Sequence, residues 1–176
     1  NVKNTDMVID IDDNDSMALL RLFNDPAGKR FLIDEAGVAR EIVENLHLMG
    51  ISGIANVLCA VKMAKYYEMT QQDVIFTVLT DSVEMYMSRL SELEQTEGIY
   101  TPTKAAVDYS SHLLGIKTDS MEELTMPAKR RIHNLKYYTW VEQLGRSSED
   151  LDALWFDEEN TWGKVHKQAA RLDELI

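Results

Sequence analysis

The sequence predicts an α/β chain: part of a parallel sheet flanked by helices, followed by an all-helical C-terminal extension. Three observations carry this expectation. Met7, Val8, Ile9 and Ile11 form a short apolar run with partial alternation, long enough for one strand. Residues 74–79, VIFTVL, are almost continuously β-branched and aromatic, the pattern of a strand covered on both faces. Segments with apolar residues three and four apart lie between and after these runs, and beyond Gly98 only such segments occur. The division that follows is 1–97 and 98–176.

The elements are expected in this order. Asp12, Asp13, Asn14, Asp15 and Ser16 offer N-caps for a helix through Met17, Leu19, Leu20, Leu22 and Phe23. Asn24, Asp25, Pro26, Ala27 and Gly28 read as its stop. A second helix is expected over 35–46, with Val38, Ile42, Val43 and Leu46 in register. Residues 47–51 read as a short apolar strand ending at Gly50. A largely buried helix over 54–67 follows, on the stripe Ile54, Val57, Leu58 and Val61. After residues 74–79, Thr80, Asp81 and Ser82 open a helix through Val83, Tyr86, Met87 and Leu90. Thr101-Pro102 and Gly115 bracket the next helix, and Ser120 with Glu123 has capping-box spacing. Residues 132–144 are helical and closed by Gly145; Ser147 or Ser148 opens another helix, and 162–176 forms the last.

Composition bounds the function. The chain has 176 residues, with 45% hydrophobic and 27% charged content, enough for a real core and unlike a disordered protein. Its formal charge of −12 makes it a poor host for phosphate backbones or anionic lipid, so neither nucleic acid nor membrane is expected as a partner. One cysteine, Cys59, rules out an internal disulfide framework and fits a reducing, cytoplasmic compartment. No phosphate loop, dinucleotide fingerprint or nucleophile elbow occurs. His47, His112, His133 and His166 lack metal-ligand spacing, so no metal is expected. The run Asp10-Ile11-Asp12-Asp13-Asn14 imitates a calcium loop but has Asp15 where Gly is needed and Arg21 where Glu is needed; it reads as a capped helix start. Lys129, Arg130, Arg131 and Lys136 read as a solvated helix face, and Cys59 as a small core residue.

Two loops hold the chemistry. In Gly50-Ile51-Ser52-Gly53 the backbone can be approached closely at both glycines, and the Ser52 hydroxyl can donate or accept. The same serine also suits the N-cap of the following helix. Asp81 and Glu84 carry a similar double meaning, since D-x-x-E after a strand is close to a capping box.

Taken together these segments resemble the C-terminal part of cysteine synthase-like enzymes, the fold type II pyridoxal phosphate (PLP) family that includes tryptophan synthase β. Three blocks carry the likeness over roughly residues 7–90. Val8-Ile9-Asp10-Ile11 and its acidic cap resemble the family's strand leading into a helix. Gly50-Ile51-Ser52-Gly53-Ile54-Ala55 resembles its G-I-S-S-G-A element. Residues 74–79 with Thr80-Asp81-Ser82-Val83-Glu84-Met85-Tyr86-Met87-Ser88 are similar to the hydrophobic strand plus P-D-S-G-E-R-Y-L-S, the most specific match. Gly53 replaces the family's second serine, Thr80 and Val83 stand where Pro and Gly are usual, and residues 26–46 are an added stretch.

The resemblance implies a PLP-dependent lyase or β-replacement enzyme acting on a small amino-acid substrate. It places Ser52 against the pyridine nitrogen, with Gly50, Gly53, Thr80, Asp81 and Ser82 lining that edge of the cofactor. A hydroxyl there leaves the ring a moderate electron sink, which suits elimination and replacement at a β-carbon. The cofactor-bearing lysine and the phosphate-binding glycine loop belong to the earlier part of the family's sequence. Lys62 and Lys65 lie after the serine, in the wrong place. The chain, which starts at Asn1, is therefore expected to be a C-terminal fragment or a separately encoded half, with no catalytic residue of its own and inactive alone. Its expected partners are the lysine-bearing N-terminal part, on the same polypeptide or a separate subunit, and further copies in a homo-oligomer. The competing expectation is a non-catalytic regulatory or interaction subunit whose helical tail, with Trp140, Trp155 and Trp162, binds a partner chain.

Overall fold

The computed structural model describes residues 2–175. Helices dominate, and the only sheet among the described residues is a two-stranded antiparallel one. This corrects the predicted parallel sheet flanked by helices. The expected strand over residues 74–79 carries no ladder at all, and the one expected over 47–51 is a 3-10 turn, Leu46–Leu48, followed by helix.

Two strands pair: β1 (Met7–Ile9), as expected, and β2 (Met121–Glu123). The Leu124 amide donates to the Asp6 carbonyl (2.8 Å) and the Asp10 amide to that of Ser120 (2.9 Å). Ser120 is thus no helix cap; it sits at φ 52° just before β2.

The chain forms two compact units. The larger spans residues 9–121. Its central helix, α1 (Asp13–Asn24), is capped by Asp12, whose carboxylate accepts the Asn14 amide. α2 (Pro26–Asp34) occupies the stretch expected to be a stop. Asp25 accepts the Ala27 amide, and Pro26 takes the first helical position, where a missing N–H costs nothing. Gly28 lets α2 approach α1, because a Cβ there would overlap the Leu22 carbonyl. α3 is only Arg40–Asn45, since Gly37 at φ 70° breaks the periodic run before it.

α4 (Ile51–Tyr66) begins three residues before its expected start, with Gly50 as its N-cap. After residues 74–82 come a 3-10 turn, Val83–Tyr86, and α5 (Met87–Glu97). α6 (Pro102–Asp108), capped by Thr101, runs into a π-helical segment, Tyr109–Leu114, that stops at Gly115 as expected. Leu19, Leu20, Leu22, Leu32, Val43, Ile54 and Leu58 make the centre of the core.

The second unit joins residues 2–8 to 122–175. α7 (Met126–Lys136) continues as a π-helical segment, Tyr137–Gln143, closed by Gly145 at φ 65°. α8 (Ser148–Phe156) starts with a full capping box between Ser147 and Asp150. The expected last helix is split into α9 (Trp162–His166) and α10 (Ala169–Asp173). Leu124, Leu151, Trp155 and the buried His133 form this unit's core. The basic run is not a free solvated face. Lys129 is buried and donates to the Lys3 carbonyl (3.0 Å), Arg130 lies over the Trp155 and Phe156 rings, and Arg131 pairs with Glu122 (2.7 Å).

Candidate functional site at the start of α4

The α4 N-terminus and the 80–82 loop, thirty residues apart in sequence, meet in space. The Gly50 amide donates to the Asp81 carbonyl (2.7 Å). Gly50 is required by this closeness. A Cβ at that position would overlap the Asp81 carboxylate and come within 2.6 Å of the Tyr86 ring. The Asp81 carboxylate is engaged on both oxygens: Tyr86 O–H donates to Oδ2 (2.5 Å) and Thr80 O–H to Oδ1 (3.2 Å). The bond from Tyr86, ahead of burial and charge, raises its phenol above the usual tyrosine range.

The predicted site residues separate as follows. Gly50 and Asp81 are in direct contact, and Thr80 bonds the Asp81 carboxylate. Gly53 is buried in the first turn of α4, with Leu79 Cδ2 3.5 Å from where a Cβ would stand. Ser82 precedes the 3-10 turn as its N-cap, without a side-chain cap bond. Ser52 is exposed, one residue inside α4, and its hydroxyl makes no hydrogen bond to the described residues. The helix cap is Gly50, so the capping role open to Ser52 in the sequence is not taken. Nor does Asp81 cap a helix, because its carboxylate goes to Tyr86.

The two lysines of α4 have structural partners. Lys62 is buried and donates to the Asp10 carbonyl (3.0 Å) while facing Asp119 (3.3 Å). Lys65 closes the end of the π-helical segment by donating to the carbonyls of Leu114 (3.0 Å) and Ile116 (2.8 Å). Lys62 stands ten residues beyond Ser52, roughly 15 Å along the helix. Cys59, half-buried on the same helix, has its thiol pushed up by burial and is no activated nucleophile.

Comparison with protein-family models, curated proteins and solved structures finds no match for this chain. Among the described residues no helix is long and apolar enough to cross a membrane, and no three metal-ligating side chains converge.

A second polar constellation escaped the sequence reading. Arg21, buried in α1, donates to Glu97 (3.3 Å) and to the Gly98 carbonyl, with its guanidinium 4.9 Å from the Tyr100 ring centre. Tyr100 O–H donates to Asp108 Oδ2 (2.8 Å), while Lys104 lies 3.0 Å from Oδ1. His112 Nδ1 is 2.6 Å from Asp15. A cavity of about 250 Å³ opens beside these groups. Every charge lining it already has an opposite partner, so the cluster ties α1, α5 and α6 together. The i, i+4 series Lys104, Asp108, His112 is the one trace of it in the sequence.

Proposed function

We propose that this chain supplies the pyridine-ring side of a pyridoxal 5′-phosphate site in a lyase or β-replacement enzyme for small amino acids, completed by a lysine-bearing polypeptide. One observation carries the reading. The two blocks that the resemblance assigns to one edge of the cofactor, 50–53 and 80–82, are joined by the Gly50–Asp81 hydrogen bond. The residues present fit the group. The Ser52 hydroxyl is exposed and unengaged at the start of a sixteen-residue helix, available to a ring nitrogen. Asp81 is held within its own loop by Tyr86 and Thr80, which leaves an uncharged hydroxyl as the group on offer. The cofactor, when bound, supplies the electron sink for elimination at the β-carbon. Ser52 would orient the ring without fixing a proton on it.

The test has two arms. The chain alone, incubated with pyridoxal phosphate and reduced with borohydride, is expected to show no stoichiometrically labelled lysine. Co-expressed with the sequence encoded upstream of Asn1, it is expected to give a coloured complex whose spectrum shifts in Ser52→Asp. Stoichiometric labelling of the lone chain, or a spectrum indifferent to both Ser52→Asp and Ser52→Ala, overturns the reading.

A separate observation favours the alternative, an interaction subunit. Residues 74–79 present an apolar surface to solvent, with Phe76 94% exposed.

A further inference from the structure

Gly50, Gly53 and Asn56 are spaced by three, so they share one face at the start of α4. Each has a counterpart in the chain that leads into the 80–82 loop. Asn56 Nδ2 donates to the Val78 carbonyl (2.8 Å). Leu79 lies over Gly53, its Cα 3.9 Å from where a Cβ would stand. The Gly50 amide donates to the Asp81 carbonyl (2.7 Å). Residues 78–81 therefore run along α4 in the direction opposite to the helix. They do so without being a strand: carbonyls three residues apart both turn to α4, where strict alternation would send them to opposite sides. Gly50 and Asn56 stand about 9 Å apart along the helix axis, and three residues of chain reach about 10 Å, so the segment can join both ties.

We propose that Asn56 is a positioning residue for the cofactor edge, an inference that rests on the reading of 50–53 and 80–82 as that edge. Its side-chain amide holds the chain at Val78 and so keeps the 80–82 loop beside Ser52. Val78 and Leu79 are 67% and 49% exposed, so the segment has little burial of its own to fix its course. Polar ties decide where it lies, and among the described residues the two that reach α4 go to Gly50 and Asn56. The Gly50 tie alone would leave the segment free to swing about a single hydrogen bond. The second tie, at Val78, fixes its direction.

Residue type and place both fit. Asn is among the weaker helix formers, because its side chain competes for nearby backbone groups. Here that side chain is spent on a carbonyl twenty-two residues away. Asn56 also stands four residues after Ser52, which makes the two neighbours on the helix surface. The segment it holds thus passes beside the hydroxyl offered to the ring. An amide makes this tie without charge, so Ser52 gains no carboxylate or ammonium as a neighbour from it.

Asn56→Ala and Asn56→Gln test it, first in the chain alone by amide hydrogen exchange. The Gly50 N–H precedes the helical hydrogen bonds, so its exchange reports the 78–81 segment and not α4. Asn56→Ala is expected to speed that exchange by about two- to tenfold, while the Leu58 amide inside α4 keeps its protection. Alanine, the better helix former, preserves the helix. Asn56→Gln, which retains the amide donor, is expected to lie nearer the wild type. In the coloured complex with pyridoxal phosphate and the upstream-encoded polypeptide, Asn56→Ala is expected to shift the spectrum, as Ser52→Asp does. Gly50 exchange that is unchanged in Asn56→Ala, or that quickens only together with Leu58, overturns the positioning role. A spectrum that responds to Ser52→Asp but not to Asn56→Ala also overturns it, and leaves the cofactor reading standing. A spectrum indifferent to Ser52→Asp, Ser52→Ala and Asn56→Ala overturns the cofactor reading and this role with it, even where Gly50 exchange has quickened.

Discussion

The Gly50 amide and the Asp81 carbonyl lie 2.7 Å apart, and the space beside Gly50 is filled by the Asp81 carboxylate and the Tyr86 ring. Gly50→Ala must displace an acid that Tyr86 and Thr80 already hold. It is expected to cost about 1–3 kcal/mol, as overpacking does. Gly53, in the first turn of the same helix, is the control. Its Cβ would meet only ordinary contacts, so Gly53→Ala is expected to stabilise α4 by up to about 1 kcal/mol. Thermal melts followed by circular dichroism should therefore move in opposite directions for the two variants.

Tyr86 is expected to ionise above the ordinary tyrosine range, and Asp81→Asn to bring it back down, read by ultraviolet titration of the phenolate. The folded chain keeps this proton longer than the unfolded one. The phenol's contribution to stability is thus complete below about pH 10 and is lost as pH rises further. A Tyr86 titration unmoved by Asp81→Asn would refute the assignment.

His133 predicts the opposite slope, in the other unit. Burial lowers its pKa first, and the Lys136 and Arg130 charges add to this; the Leu151 carbonyl, accepting from Nε2 at 3.0 Å, opposes them. Asp152 also opposes, through its charge. The unfolded imidazole takes up a proton near pH 6.5 while the folded one resists. Stability from this group is present above that pH and falls as the solution is acidified below it. Melts from pH 7.5 to 5 should show a loss that His133→Gln reduces. Equal slopes in wild type and variant would exclude His133 as a cause.

Tyr100→Phe is expected to destabilise the larger unit by about 1.5–3 kcal/mol, the range for a hydrogen bond to a charged group. It leaves the fully buried Asp108 with Lys104 at 3.0 Å but without its phenol donor. Urea denaturation measures the loss. A change below about 0.5 kcal/mol would mean that water replaces the phenol.

Much of the helical layout could be read directly. Asp12 before α1, Thr101-Pro102 before α6, Gly145 after the second π-helical segment and Ser147 before α8 signal their roles through local chemistry. α2 was hidden by the same kind of signal read in one direction only: Asp25-Pro26 ends α1 and also starts the next helix. The two loops were legible, but the glycine pattern at 50–53 was read as room for a ligand at both glycines, whereas the space beside Gly50 is taken by Asp81 and Tyr86 and Gly53 has only ordinary contacts. The state of residues 74–79 was not legible. Their composition describes the surroundings such a strand needs, and the described chain does not provide them. Arg21 reaching Gly98, and Tyr100 reaching Asp108 beside Lys104, depend on how helices meet, which no short window contains.

The pairing of β1 with β2 sets an order of assembly. Residues 2–8 belong with 122–175, and Lys129 donates to the Lys3 carbonyl across the whole of the larger unit's sequence. On a ribosome adding ~5–20 residues per second, β1 emerges roughly 6–23 seconds before the first residues it pairs with. The intervening unit has its entire sequence by then and can close first. The smaller unit, by contrast, cannot be completed until residues 122–175 have been made, so residues 2–8 wait for partners that follow the whole of the larger unit.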